Sequence, residues 1–144
     1  MNWIEELRSQ LGDCVRTDEA TLRAHATDKW HAAALPEAVV LATNTEQVSA
    51  ALRFAHERGI PVTPRGAGVG YVGGCVPVKG GIVISVASMT RILEVSPEDG
   101  VAVVEAGVLT ADLQEACSRV GWFYPPDPAS RKESSIGGNI ATNA

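Results

Sequence analysis

Pro64-Arg65-Gly66-Ala67-Gly68-Val69-Gly70-Tyr71-Val72-Gly73-Gly74 is the stretch whose reading decides the fold. Gly68 to Gly73 satisfies the spacing GxGxxG, the fingerprint of a dinucleotide-binding unit in which a helix starts inside the motif and meets a pyrophosphate. That reading fails here. The motif runs on into Gly74, Pro77, Gly80 and Gly81, which no helix accommodates, and it follows a helix and a strand instead of a first strand. Residues 64–81 hold half of the chain's 14 glycines. Glycines accept positive φ and keep side chains out of the way, so consecutive N–H groups can converge on an anion. Arg65, at the entry, is placed to add charge or to position the loop. Composition alone leaves two readings open, a phosphate cradle and a flexible turn between strands.

The flanks define the surroundings of this loop. Val39-Val40-Leu41-Ala42 reads as a buried strand. Asn44 starts a helix, with Gln47 in capping-box register and Val48, Ala51, Leu52 and Ala55 on one face, and Gly59 ends it. Ile60-Pro61-Val62-Thr63 is the next strand, completing a βαβ-type unit. After the loop, Ile82–Val86, Ile92–Val95 and Val101–Glu105 read as strands, the last two joined by a hairpin at Pro97-Glu98-Asp99-Gly100. Thr110 is read as the N-cap of a second helix burying Leu113, Ala116, Cys117 and Val120, with Gly121 ending it. Ahead of all this, residues 3–11 and 18–26 form two short helices, the second capped by Asp18, and residues 27–36 are an alanine-rich connector.

Composition excludes several classes. Hydrophobic residues are 45% and charged residues 20% of the 144-residue chain, a globular balance. The net charge is −5 and the 12 basic residues are scattered, which argues against a nucleic-acid surface. Cys14, Cys75 and Cys117 lie far apart and in odd number, and His25, His31 and His56 form no ligand pair, so neither a disulfide framework nor a metal site is expected. The first residues lack a signal peptide's basic and apolar regions, and no apolar run is long enough to span a membrane. A cytoplasmic location is the expectation, with membrane association only through partners.

The second constellation lies near the end. Pro125-Pro126-Asp127-Pro128-Ala129-Ser130 is stiffened by prolines and leads to Ser134-Ser135-Ile136-Gly137-Gly138-Asn139-Ile140-Ala141-Thr142-Asn143. Dense neutral hydrogen-bonding groups suit a polyol or a phosphate, and Ser134 or Ser135 suits a helix or turn cap; a polar surface loop has the same composition. No closing helix or strand is expected after Trp122. The chain stops directly after this motif, which reads as a cut chain.

Taken in order and spacing, the loop at Pro64–Gly74, the run Pro125–Pro128 and the run Ser135–Ala144 resemble the FAD-binding domain of the vanillyl-alcohol oxidase / p-cresol methylhydroxylase superfamily. Within it they are similar to the group of the glycolate oxidase flavin subunit and the D-lactate dehydrogenases. The resemblance implies an α+β, PCMH-type FAD-binding fold: a helical segment at 1–35, then an FAD-binding domain at 36–144. This domain divides into a βαβ-containing first subdomain, about 36–88, and an incomplete second α+β subdomain, about 89–144. It implies that Arg65, Gly66, Ala67, Gly68, Val69, Gly70, Gly73 and Gly74 wrap the FAD pyrophosphate. It implies that Pro126, Asp127, Ser130, Ser134, Ile136, Gly137, Gly138, Asn139 and Ala141 line its pyrophosphate, ribityl and isoalloxazine side. The turn Glu105-Ala106-Gly107-Val108 resembles the family's turn near the cofactor.

Position 67 is Ala, and no His or Cys precedes Cys75 in the loop, so FAD is expected to be non-covalent. Val69 stands where many relatives have Thr; a missing hydroxyl bond to phosphate costs roughly 1–3 kcal/mol. The implied activity of the full-length protein is oxidation of a 2-hydroxy acid such as glycolate or D-lactate, with an iron–sulfur electron-transfer subunit as partner. No catalytic residue and no metal ligand is assigned within the chain. A non-catalytic FAD-binding module that needs further chain or a partner is the alternative. A related cell-wall reductase acting on an enolpyruvyl sugar nucleotide fits the two motifs less well.

Overall fold

The computed structural model describes residues 2–144. It is built of two neighbouring units, each with its own sheet and core. In the first, a four-stranded sheet has the order β1-β2-β4-β3, with β1 at Val15–Arg16, β2 at Ala38–Leu41, β3 at Val62–Arg65 and β4 at Ile82–Ser85. β2, β4 and β3 are mutually parallel, in the register Val40↔Ile84 and Thr63↔Val83, while β1 runs antiparallel to β2. β4 is buried along its whole length, which is why it reads as an unbroken apolar run without alternation.

Two helices cover this sheet. α1, Trp3–Leu11, is capped by Asn2, whose side chain accepts the Ile4 N–H at 3.3 Å. α3, Thr45–Arg58, connects β2 to β3 and buries Ala51, Phe54 and Ala55. The Asn44 cap accepts the Gln47 N–H at 2.9 Å, but the Gln47 side chain returns to the Thr43 N–H, one residue earlier than a standard capping box. Gly59 ends α3 in the left-handed conformation, φ 63°. Arg58 ties the helices together, pairing with Glu6 at 2.9 Å and lying 3.9 Å over the Phe54 ring. Leu7, Val40, Phe54, Ile82 and Ile84 form the centre of this core. Between β1 and β2 in the chain, α2, Glu19–Ala24, is capped by Asp18 as its sequence suggests, with the Thr21 N–H at 3.0 Å.

The second unit is the hairpin β5–β6, Ile92–Ser96 with Val101–Val104, carrying a bulge at Ile92/Glu94. Two helices pack on it, α4 at Thr110–Arg119 and α5 at Ile136–Ala141, around Val108, Leu113, Cys117 and Ile136. Three expectations are corrected here. Thr110 is the first helical residue and Leu109 is the N-cap, because the Thr110 hydroxyl is committed inward to Ser134. Val120 is exposed, since the helix ends before it. The stretch expected to lack a closing helix contains α5. Its two glycines conceal it, and the Ser135 hydroxyl caps it by accepting the Gly138 N–H at 3.3 Å.

One ion pair gives the second unit a pH signature. Arg91 hydrogen-bonds Glu105 across the hairpin at 2.7 Å and holds that carboxyl below its ordinary value of 4.5. A depressed carboxylate contributes stability above its unfolded value and loses it as pH falls through the folded one. Glu105→Gln is therefore expected to flatten the fall of Tm below about pH 4.5. Thermal melts between pH 3 and pH 7 on an order-of-magnitude buffer grid of roughly one unit check this; an unchanged slope would exclude the pair as a source. Asp18, held low by the Thr21 amide, leaves a residual slope.

Candidate functional site

The glycine loop leaves β3 at Arg65, at the carboxyl end of the parallel strands, where ligands of open α/β sheets bind. Its floor comes from the connector that precedes β2. The Arg65 guanidinium donates to Thr27 O at 2.7 Å, to Ala24 O at 3.4 Å and to the Cys75 sulfur at 3.3 Å. All three bonds go to the chain itself, tying the guanidinium to the segment before β2 and to Cys75 within the loop. Gly68 sits against this guanidinium at φ 73°, and a Cβ there would come within 2.6 Å of Cζ. Asp28, only 6% exposed, fixes the far side of the loop. Its Oδ2 accepts the Gly73 N–H at 2.9 Å, and its Oδ1 accepts those of Trp30 and Ala32 at 2.9 and 3.2 Å. The Lys29 N–H donates to Gly70 O at 3.2 Å.

These anchors hold the loop through Arg65, Gly70 and Gly73 and leave its own amides unspent. Among the described residues, no backbone carbonyl accepts the N–H groups of residues 66–70. Ala67 and Val69 are half-buried, and Gly70 and Gly74 are exposed. An array of consecutive free amides beside a fixed guanidinium is a receptor for an anion of low charge density, such as a pyrophosphate.

The second constellation divides in two. Ser134, Ile136 and Asn139 turn inward: Ile136 belongs to the core, and Thr110, fully buried, joins the other two. The Asn139 amide donates to Thr110 Oγ1 at 2.6 Å, and Thr110 Oγ1 lies 3.0 Å from Ser134 Oγ. Gly137 packs its Cα against Ala106, where a Cβ would lie 2.8 Å from the Ala106 Cβ, and its N–H donates to Ala106 O at 2.9 Å. Gly138 is half-buried and Ala141 exposed, at the end of α5. By contrast, Pro126 and Asp127 are engaged by α4, whose Gln114 donates to Pro126 O at 2.9 Å and to Asp127 Oδ1 at 3.2 Å, and Arg131 pairs with Asp127 at 3.3 Å. Ser130 accepts the Ser134 N–H through its carbonyl at 2.7 Å and so leads this segment into α5.

The two constellations meet at Gly66. A Cβ at that position would lie 2.5 Å from Ser135 Oγ and 3.8 Å from Gly138 Cα. Above this contact Lys29, whose backbone holds Gly70, reaches Glu133 at 2.6 Å and is raised in pKa by that hydrogen bond. The loop and the start of α5 are thus in direct contact at Gly66 and Ser135. Asp28, Lys29 and Thr110 are the residues that sequence reasoning missed. An isolated Asp-Lys pair in an alanine-rich connector was the only signal for the first two.

A family model described as an FAD binding domain matches residues 36–144, well over half of the chain. The chain belongs to this FAD-binding family. The D-lactate dehydrogenase of Anaerostipes hadrus is 46% identical over 111 residues, covering 77% of this chain and 23% of that protein. Glycolate oxidase subunit GlcD of Bacillus subtilis is 43% identical over 76% of the chain and 23% of its own length. The D-lactate dehydrogenase of Archaeoglobus fulgidus is 40% identical across 100% of the chain and 32% of its own length. The chain thus spans from 23% to 32% of the length of these curated relatives. Among solved structures, p-cresol methylhydroxylase with substrate bound superposes with a TM-score of 0.81 at 26% identity, over 96% of this chain and 28% of its own. Alkyldihydroxyacetonephosphate synthase superposes at 0.87 and 24% identity, over 99% and 31%, and shows the shared fold.

The cofactor of this FAD-binding domain is FAD, and the residues present fit it: free amides at 66–70, open space beside Gly70, Gly73 and Gly74, and one guanidinium fixed at the loop's entry. A separate apolar groove of about 680 Å³ lies in the second unit, between the outer face of β6 and Trp122, Phe123 and Ile140. No residue of the glycine loop lines it. Among the described residues, no three His, Cys, Asp or Glu are grouped to hold a metal, and no helix is long and apolar enough to cross a membrane.

The buried Thr110 cluster is what sets α5 against α4. Thr110→Val keeps the volume and deletes the hydroxyl that Asn139 uses, leaving a buried amide unpaired. The expected cost is about 1–3 kcal/mol. Denaturant unfolding measures it, and a change within experimental error would show that the Thr110 hydroxyl does not stabilise the placing of α5.

Proposed function

We propose that the amides of residues 66–70 hold the pyrophosphate of a non-covalently bound FAD, and that Gly137 and Gly138 let the cofactor pass close to the start of α5. The carrying observation is the run of unspent N–H groups at 66–70, beside the close approach of Gly66 to Ser135 at the start of α5. Arg65 contributes positive charge from beneath while its hydrogen bonds fix the loop. In this reading Ser134, Ile136 and Asn139 act by shaping α5, with their side chains buried. Pro126, Asp127 and Ser130 brace the approach to α5.

In the longer protein, bound FAD supplies a hydride acceptor for oxidation of a 2-hydroxy acid of the glycolate or D-lactate kind. This substrate class rests on the names of the relatives; an iron–sulfur partner chain that would carry electrons onward rests on the family resemblance alone. The domain's own share is to bind and orient the flavin. No residue of this chain is assigned to proton or hydride transfer. The open groove with exposed Val101, Trp122, Phe123 and Ile140 favours a second reading, a cofactor-binding module that needs further polypeptide to be complete.

Titration of the purified chain with FAD, FMN, riboflavin and ADP tests the proposal. Saturable FAD binding, competed by ADP and not by riboflavin, is expected. Equal affinity for riboflavin and FAD would remove the pyrophosphate from the account.

A further inference from the structure

The matched region begins at residue 36, yet the loop's anchors lie before it. Arg65 is held by the carbonyls of Ala24 and Thr27, Gly73 by the Asp28 carboxylate, and Gly70 by the Lys29 N–H. Lys29 also reaches Glu133, beside the serines that start α5. We infer that the segment Ala24–Ala32 is a working part of the cofactor site, with Asp28 as the residue that positions the glycine loop. The inference deepens the proposal that residues 66–70 hold FAD, and rests on it.

The two oxygens of Asp28 divide the labour. Oδ1 closes the segment's own turn by accepting from Trp30 and Ala32. Oδ2 alone reaches across 45 residues to Gly73. A carboxylate is required for this arrangement because it presents acceptors on both sides, whereas an amide presents one acceptor and one donor. Asn at this position keeps the two local bonds by directing its oxygen to them. It then turns an NH₂ toward the Gly73 N–H, donor against donor. Flipping the amide would save one bond and lose two. Asp28→Asn thus separates the turn from the loop.

The loop is thereby held from outside, by residues that precede it by more than 30 positions. Arg65 and Asp28 grip opposite ends of the arc from Gly66 to Gly73, so the intervening amides are arranged before a ligand arrives. Pre-arranged donors lose less freedom on binding, so releasing one end weakens affinity without removing any ligand contact.

The test uses the full chain, with and without FAD. For Asp28→Asn, amide exchange of Gly73 in the cofactor-free chain is expected to rise about tenfold or more, the loss of one charge-assisted bond. Exchange in α1, α3 and β4 is expected to stay as in the parent, and FAD affinity to fall by about tenfold. Lys29→Met, at an exposed position, gives a second variant that does not threaten folding, with a FAD dissociation rate raised a few-fold. Unchanged Gly73 exchange in Asp28→Asn overturns the inference whether or not FAD binds. Faster Gly73 exchange with FAD affinity equal to the parent's also overturns it, while leaving the cofactor proposal standing. Absence of FAD binding in the parent chain removes the cofactor proposal, and with it this role for the segment.

Discussion

Gly68→Glu is expected to abolish measurable FAD binding, a loss of at least about 100-fold. Three effects act together. The position has φ 73°, a left-handed conformation that costs a residue with a Cβ roughly 1–2 kcal/mol. Its Cβ would occupy the space of the Arg65 guanidinium, the clamp that joins the loop to Ala24 and Thr27. The carboxylate would then sit among amides arranged for an anion, and repulsion between like charges about 4 Å apart is worth about 1–4 kcal/mol near a surface. Gly70→Ala is the control. That glycine has open space around it and an ordinary φ, so its affinity should stay within a few-fold of the parent. Equal losses for the two substitutions would mean that loop flexibility, not the Arg65 contact, determines binding. A flavin fluorescence titration reads both.

Gly107→Ala is the second large effect, and it falls on the fold. Gly107 lies where the first unit passes the chain to the second, and its N–H donates to Met89 O at 2.8 Å. A Cβ there would overlap the Val86 carbonyl oxygen and come within 2.7 Å of Met89 O. Both obstacles are backbone atoms, so neither can swing aside as a flexible side chain would. Relief requires opening the junction, at about 3 kcal/mol. For a chain of this size that lowers Tm by roughly 10 °C. Gly12→Ala supplies the comparison, because Gly12 has φ 68° with nothing near it and carries only conformational strain. Its cost should be about 1–2 kcal/mol. Differential scanning calorimetry on the pair decides the matter, and a Gly107→Ala protein as stable as Gly12→Ala would show that the junction yields.

The legible part of this chain was the part specified locally. Asn44 before Val48-Ala51-Leu52-Ala55, Asp18 before α2, and the apolar runs of β2 and β4 each name their element through neighbours a few residues away. The glycine-rich stretch was legible as a loop because no regular element tolerates that composition. The motifs further supplied the family by resemblance, and the matched region confirms it. What was hidden depends on distant partners. Thr110 has the chemistry of a cap, and only the proximity of Ser134 and Asn139 turns its hydroxyl inward. α5 is short and carries Gly137 and Gly138, poor helix formers whose place is set by the approach to Ala106. Arg65 is adjacent to the loop in sequence and was readable as a ligand for phosphate. Its three acceptors lie ten to 41 residues away, and only the fold shows that they occupy it. Asp28 and Lys29 stand in a connector whose composition says nothing of contacts 45 and 104 residues off.

The central claim is that the amides of residues 66–70 receive the cofactor. Amide chemical shifts of the ¹⁵N-labelled chain, recorded as FAD is added, test it most directly. The account predicts that the Gly66, Ala67, Gly68, Val69 and Gly70 protons move downfield and become slow to exchange, while the β5–β6 hairpin turn at Pro97–Gly100 stays unchanged. Saturable FAD binding that leaves those five amides unmoved would contradict it.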